Sequence, residues 1–102
     1  MRTHFIILWQ FRVKPARVGE FRQHYCADGT WARLFSKAEG FVGTKLGTSP
    51  DDSNLFLTVD EWMSREAYEA FRSRFSTEYS ALDRRMEGLT TAEEKLGSFV
   101  VE

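Results

Sequence analysis

An α+β fold is what this sequence predicts, and three observations carry that reading. The segment Phe5 to Val13 is apolar on both faces of a strand. Apolar residues recur at helical spacing from Val18 to Phe35 and again from Tyr68 to Met86. Two further strand-like runs lie between these helical regions, and a short one closes the chain. The resulting order, β-α-β-β-α-β, is the ferredoxin-like arrangement, with an antiparallel sheet and the helices together on one face. A chain of 102 residues fits one domain, 1–102.

The first strand says most about assembly. Successive side chains of a strand point to opposite faces. Phe5, Ile7, Trp9, Phe11 and Val13 therefore point one way, and Ile6 and Leu8 the other. Burial on both faces is usual in a parallel sheet between two helix layers, and this chain has too few helical segments for that. The expected solution is a sheet with its own helices on one face and a second protein on the other. That is a dimer with an enclosed cavity.

The remaining elements follow in order. Lys14-Pro15 marks a turn, with Pro favoured at a helix start. Val18, Phe21 and Tyr25 form one apolar side, Asp28-Gly29 interrupts it, and Trp31, Leu34 and Phe35 resume it until Gly40 stops the helix. Phe41 to Gly47 reads as a strand whose Gly43 marks a bulge or a close approach. A polar loop over 48–54 leads to the strand Leu55 to Trp62. Its residues Leu55, Leu57 and Val59 take one face, and Phe56, Thr58, Asp60 and Trp62 the other. Ser64 is the expected N-cap of one amphipathic helix carrying Tyr68, Phe71, Phe75, Tyr79, Leu82 and Met86, ended by Gly88. The polar stretch through Glu93, Glu94 and Lys95 reads as a connection with room for a helical turn. Ser98 to Val101 is the closing strand.

Composition removes several function classes. Hydrophobic residues at 42% and charged residues at 28% fit a globular chain rather than a disordered one. The net charge is -1, and the fourteen Lys and Arg are scattered. The concentrated basic face of a nucleic-acid binder is missing. The single Cys26 excludes an internal disulfide and a cysteine-rich zinc site. No leader precedes the first strand and no apolar run nears a membrane span, so a reduced, cytoplasmic protein without a membrane partner is expected.

Strong catalytic signatures are missing too. The glycines fit neither phosphate-loop pattern, and there is no serine nucleophile elbow. His4 and His24 are the only histidines, and no close His/Glu spacing suggests a metal cluster, so no metal is expected. Aromatic residues make up 15% of the chain. They serve either as an aromatic core or as walls for a flat ligand. Tyr25, Trp31, Trp62, Phe71 and Phe75 are the cavity candidates. His24, about 100° round its helix from Tyr25, suits proton transfer at a pocket edge, against the plainer reading of a half-exposed surface histidine. Trp62 either caps the cavity with its indole or fastens strand to helix. Gln10 either orients a ligand carbonyl or bonds across the dimer. Cys26 reads as packing rather than nucleophile.

The segments Val13-Lys14-Pro15, Glu20-Phe21, Gly40-Phe41-Val42-Gly43, Phe56-Leu57-Thr58-Val59-Asp60-Glu61-Trp62 and the Tyr68/Phe71 helix together resemble the antibiotic biosynthesis monooxygenase-like (ABM) family of dimeric α+β barrels. The likeness spans nearly the whole chain. It implies a homodimer joined sheet to sheet, with one pocket per subunit between sheet and helices. It also implies cofactor-independent oxidation of polycyclic phenols to quinones. The substrate anion hands an electron to O₂, while the protein excludes water, orients the rings and stabilises charge. On that reading His24, Trp62 and Gln10 are the catalytic candidates, and Leu8, Arg12, Tyr25, Trp31, Phe71 and Phe75 bind substrate. A second branch of this architecture degrades heme through an Asn, a Trp and a His. Only Trp62 matches it: Leu8 stands at the Asn position, and no histidine lies between Ser64 and Met86, so heme ligation by that route is not expected. The expected function is a monooxygenase acting on a small aromatic or polycyclic phenol or quinol. The alternative is a non-catalytic dimer that binds a hydrophobic metabolite.

Overall fold

Strand pairing runs along the doubly apolar first segment on both of its edges, over Phe5–Arg12 on one and His4–Val13 on the other. The computed structural model describes residues 2–102. Strand β1 (His4–Val13) lies between β3 (Leu55–Trp62) and β4 (Thr90–Val101), and β2 (Phe41–Thr48) flanks β3. All three pairings are antiparallel, in the order β2-β3-β1-β4. Helices α1 (Val18–Tyr25), α2 (Thr30–Phe35), α3 (Arg65–Arg74) and α4 (Ser76–Met86) supply the second layer. This is the ferredoxin-like α+β arrangement that the hydrophobic periodicity predicts. None of these helices is long and apolar enough to cross a membrane.

The core fills the space between the two layers. Phe5, Ile7, Phe11 and Val13 of β1 and Phe56 and Trp62 of β3 pack with Phe21, Phe35 and Phe71 from the helices. The other sheet face stays open among the described residues. Ile6 and Leu8 are half-buried there. Leu57, Phe99 and Val101 are 36%, 50% and 37% exposed. These side chains adjoin one another through the register, since Ile6 faces Phe99, Leu8 faces Val59 and His4 faces Val101. His4 pairs with Glu61 at the edge of this apolar stripe.

Two elements depart from the expectation. The single amphipathic helix is two helices, broken at Phe75, whose backbone opens to φ -110°, ψ 28°. Hydrogen bonds from Phe75 N–H to Phe71 O and from Tyr79 N–H to Phe75 O carry the chain across the break at 2.8 and 2.9 Å. The apolar side therefore keeps its phase, and Phe71, Leu82 and Met86 are all buried. Ser73, Ser76 and Thr77 around the break are weak helix formers, because their hydroxyls compete for backbone partners. The second departure is β4, which is twelve residues long and includes Glu93, Glu94 and Lys95. An edge strand held by main-chain bonds to β1 lets charged side chains reach solvent, so it shows no apolar alternation. Leu96 is its bulge, between the pairs Leu8–Gly97 and Trp9–Lys95.

Gly40 closes the α2 connection at φ +89°, and its carbonyl accepts from Met63 N–H at 2.7 Å. A Cβ there would sit 2.6 Å from the Cβ of Ala67 on α3. Both the backbone conformation and the contact require glycine. Gly40→Ala is expected to lower unfolding stability by about 2 kcal/mol or more in equilibrium denaturation. A loss under about 0.5 kcal/mol, the size of an ordinary surface change, would contradict this account of the junction.

Candidate functional site

The inward face of the sheet and the helices leave one slot unfilled, a cavity of about 50 Å³. Trp9 and Phe11 of β1 line it with Thr58 and Asp60 of β3 and Thr44 of β2. Tyr25 of α1, Trp31 and Phe35 of α2 and Tyr79 of α4 form the opposite wall, and Asp83 and Glu93 stand at the mouth. The walls are braced by ring contacts. Tyr25 stacks on Phe21 at 4.1 Å between centroids and meets Phe11 at 5.0 Å, while Trp31 meets Tyr79 edge to face at 5.1 Å. That volume holds a few waters; one benzene ring takes a cavity of roughly 150 Å³, so a ring would extend through the slot's open side.

Asp60 is the least exposed of the three carboxylates that line this slot, with β3 pairing Asp60 against Ile7 and Thr44. Thr44 Oγ1 donates a 2.7 Å hydrogen bond to Asp60 Oδ1. Burial pushes this carboxyl up to about 6, and the Thr44 hydrogen bond offsets only part of that shift. Burial also raises Tyr25 above the usual phenol range and Tyr79 to about 12, so both hydroxyls keep their protons at neutral pH. The indole N–H of Trp31 lies close enough to the Tyr25 oxygen to temper that rise, yet it closes no hydrogen bond of ordinary geometry. It is a buried donor without a partner, on the wall of a cavity. Glu93 at the mouth is also raised, first by burial and then by the negative charges of Asp83 and Glu87.

The candidates read from the sequence divide between this slot and other places. Tyr25 and Trp31 line it. Trp62 lies fully inside the neighbouring core, in ring contact with Phe35, Phe41, Tyr68 and Phe71 at 5.1–5.6 Å. Phe71 is buried beside it, and Phe75 stacks on Phe71 at 5.5 Å. Phe71 packs directly against Trp62, and neither Phe71 nor Phe75 lines the slot. Leu8, Gln10 and Arg12 share the open sheet face, where Gln10 pairs with Leu57 and Arg12 forms an ion pair with Asp52 at 2.8 Å. His24 bonds Thr30 Oγ1 through Nδ1 at 2.7 Å and is absent from the lining. Among the described residues no histidine, lysine or arginine lines the slot. Among the described residues no three His, Cys, Asp or Glu side chains are grouped to hold a metal ion.

A family model described as antibiotic biosynthesis monooxygenase matches residues 4–85. The chain belongs to the antibiotic biosynthesis monooxygenase family. No curated protein matches it significantly. Among solved structures, SnoaB, a cofactor-independent oxygenase from Streptomyces nogalater, has a TM-score of 0.67 at 23% identity, over 94% of this chain and 90% of that one. A candidate antibiotic biosynthesis monooxygenase from Bordetella bronchiseptica reaches a TM-score of 0.73 at 18% identity, over 97% and 96% of the two chains. A similarly named protein from Nitrosomonas europaea reaches 0.70 at 12%, over 98% and 89%. At these identities the likeness concerns the fold, which this family member shares from end to end.

Asp60 is the site residue that sequence reasoning passes over. Its signal is positional: a carboxylate on the same strand face as Phe56, Thr58 and Trp62 is carried inward with them. Its ionisation is measurable. Between about pH 4 and pH 6 the folded protein keeps a proton that the unfolded chain has already released, so stability falls as pH rises through that window. Asp60→Asn should remove this fall. Relative to the parent, the variant is expected to gain on the order of 2 kcal/mol in unfolding free energy between pH 4 and pH 7. Parallel pH profiles for the two proteins would contradict the placement of Asp60.

Proposed function

We propose that this family member is a monooxygenase that oxidises a small phenol or quinol, with Asp60 as the base. The observation that carries the proposal is a half-buried carboxylate, Asp60, hydrogen-bonded to Thr44 on the sheet side of an aromatic slot, where burial raises it to about 6. A base serves best when its pKa lies near the working pH. The aromatic walls hold a ring in plane and exclude water. Asp60 takes the hydroxyl proton, and the Tyr25 O–H and Trp31 N–H are donors available to oxygen as negative charge develops. The electron-rich anion then reduces O₂. In the net reaction a ring C–H becomes C=O, one atom of O₂ enters the product and the other leaves as water. The electrons come from the substrate, so this chemistry asks for no metal or flavin. The small volume argues against a polycycle.

O₂ uptake with a panel of single-ring phenols tests this reading. One O₂ should be consumed per quinone formed, with one labelled oxygen retained in the product. The kcat/KM profile should rise through about pH 6, as Asp60 becomes ionised. Asp60→Asn should lose that limb and about 10²–10⁴-fold of the rate. Uptake no greater than the protein-free blank across the panel would exclude this function.

The same proposal includes a homodimer built on the open sheet face. Ile6, Leu8, Leu57, Val59, Phe99 and Val101 form an apolar stripe that a second copy would cover. Specific interfaces of this kind bury roughly 1,200–2,000 Å². Light scattering at micromolar concentration should give the mass of two chains, and Leu57→Glu should give one. A monomeric parent protein would overturn the assembly. The free thiol of Cys26 fits a reducing compartment, which we take to be the cytoplasm.

A further inference from the structure

We propose that Thr44 is the positioning residue of the slot: its hydroxyl holds Oδ1 of the Asp60 carboxylate and leaves Oδ2 as the oxygen that takes the substrate proton. The substrate proton rests on the function proposed above; the hold on the carboxylate does not. Thr44 stands directly opposite Asp60 in the register of β2 and β3, and both line the slot. It is 6% exposed, and its Oγ1 donates to Asp60 Oδ1 at 2.7 Å. On the other side of Asp60, β1 presents Ile7, whose side chain has nothing to donate. Thr58, two residues before Asp60 on the same face, is buried and lines the slot without bonding the carboxylate. Thr44 is the one side chain that hydrogen-bonds Asp60 among the described residues.

A bulge in β2 puts Thr44 there. Phe41 faces the helix layer, in ring contact with Phe35 and Trp62 at 5.3 and 5.1 Å. Regular alternation would then turn Gly43 inward and Thr44 outward. Instead Phe41 pairs with Trp62, Gly43 pairs with Glu61, and Val42 stands unpaired between them. The extra residue shifts the phase by one. Val42 is 46% exposed, Gly43 follows Glu61 to the open face, and Thr44 turns inward opposite Asp60. Bulges re-aim side chains in this way and recur beside active sites. In a straight β2 the residue opposite Asp60 would be Gly43, which has no side chain to donate.

A carboxylate offers two oxygens. With Oδ1 held by Thr44, the carboxyl group is restrained in rotation, and Oδ2 keeps its lone pairs for an incoming hydroxyl. The proton passes from the substrate oxygen to Oδ2, Asp60 becomes a neutral carboxyl, and Thr44 keeps its bond to Oδ1. A donor to the charged form favours that form, so Thr44 also lowers the pH at which the base is available. The other ionisable groups facing the slot are Tyr25 from α1, Tyr79 and Asp83 from α4 and Glu93 from β4; β1 and α2 face it with rings alone. Arg72 of α3 stands over the Tyr79 ring, 3.9 Å from its centroid, and bonds the Tyr68 hydroxyl. None of these groups bonds Asp60, so burial acts against its ionisation and Thr44 acts for it.

The hold is tested by NMR titration of the Asp60 carboxyl in the substrate-free, full-length protein and in Thr44→Val, Thr44→Ser and Thr58→Val. Loss of a hydrogen bond to a charged group is expected to raise the midpoint by about 1–2 pH units in Thr44→Val. Thr44→Ala is the second removal, with the same expected rise, where valine is not accommodated. Thr44→Ser keeps the donor and should stay near the parent. Thr58→Val loses a hydroxyl from the same face and should move the midpoint by less than about 0.5 unit. In O₂ uptake, kcat/KM of Thr44→Val is expected to be about 5- to 50-fold lower at pH 6 and to approach the parent by about pH 9. An unshifted or lowered midpoint in Thr44→Val, or an equal rise in Thr58→Val, would overturn the assignment. So would a turnover loss of the same size at every pH, the mark of a structural role alone. A raised midpoint without O₂ uptake on any phenol would leave the hold of Thr44 on Asp60 standing and remove the monooxygenase. Uptake whose pH limb stays in place in Thr44→Val would do the reverse.

Discussion

A strand cannot choose its inward residues one at a time, and that constraint on β3 shapes the site. Phe56, Thr58, Asp60 and Trp62 face the helices as a set, opposite Phe11, Trp9, Ile7 and Phe5 of β1. A slip of one residue would turn all of them outward. Trp62 and Phe56 are buried almost completely and hold sheet to helices. Their anchorage carries Asp60 into the protein, where water cannot solvate it freely. Thr44 provides one hydrogen bond in compensation. The raised carboxyl follows from a register fixed by hydrophobic packing elsewhere on the same strand.

The architecture then separates two roles that an aromatic-rich sequence leaves mixed. Trp62, Phe35, Phe41 and Phe71 form a filled aromatic core. One step along the sheet, where β3 carries Asp60 and Thr58 in place of large apolar side chains, the filling stops and the slot begins. Small and polar inward residues make the opening, and the rings around them make its walls. On the opposite face the same alternation leaves an apolar stripe that the chain's own helices do not reach. The double-sided character of β1 thus leads both to the pocket and to the proposed partner.

Much of the fold is legible because it rests on periodicity. The two-residue period of β1 and β3, the three-to-four-residue spacing of Tyr68, Phe71, Phe75, Tyr79, Leu82 and Met86, and the Ser64 cap, whose side chain accepts from Ala67 N–H, all act locally. The missed features depend on neighbours distant in sequence. Thr90 to Lys95 becomes a strand through main-chain pairing with β1, which side-chain pattern does not record. The helix break at Phe75 keeps the apolar side in phase, so periodicity passes over it. Tyr25 and Trp31 could be read as pocket residues because they are aromatic and on the helical inner side. Gln10 and Arg12 drew attention by polarity, but their even positions in β1 place them on the open face with Leu8. His24 drew attention by its chemistry, and Thr30 on α2 takes up one ring nitrogen. Asp60 is an ordinary acidic residue in the sequence, and only the inward position makes it unusual.

The most direct test is an NMR titration of the Asp60 side-chain carboxyl in the folded protein, assigned by comparison with Asp60→Asn. Midpoint ionisation near pH 6 is expected for a desolvated carboxylate with one hydrogen-bond donor. A midpoint near 4, the ordinary value for a solvated aspartate, would place Asp60 in water and remove the base from the site.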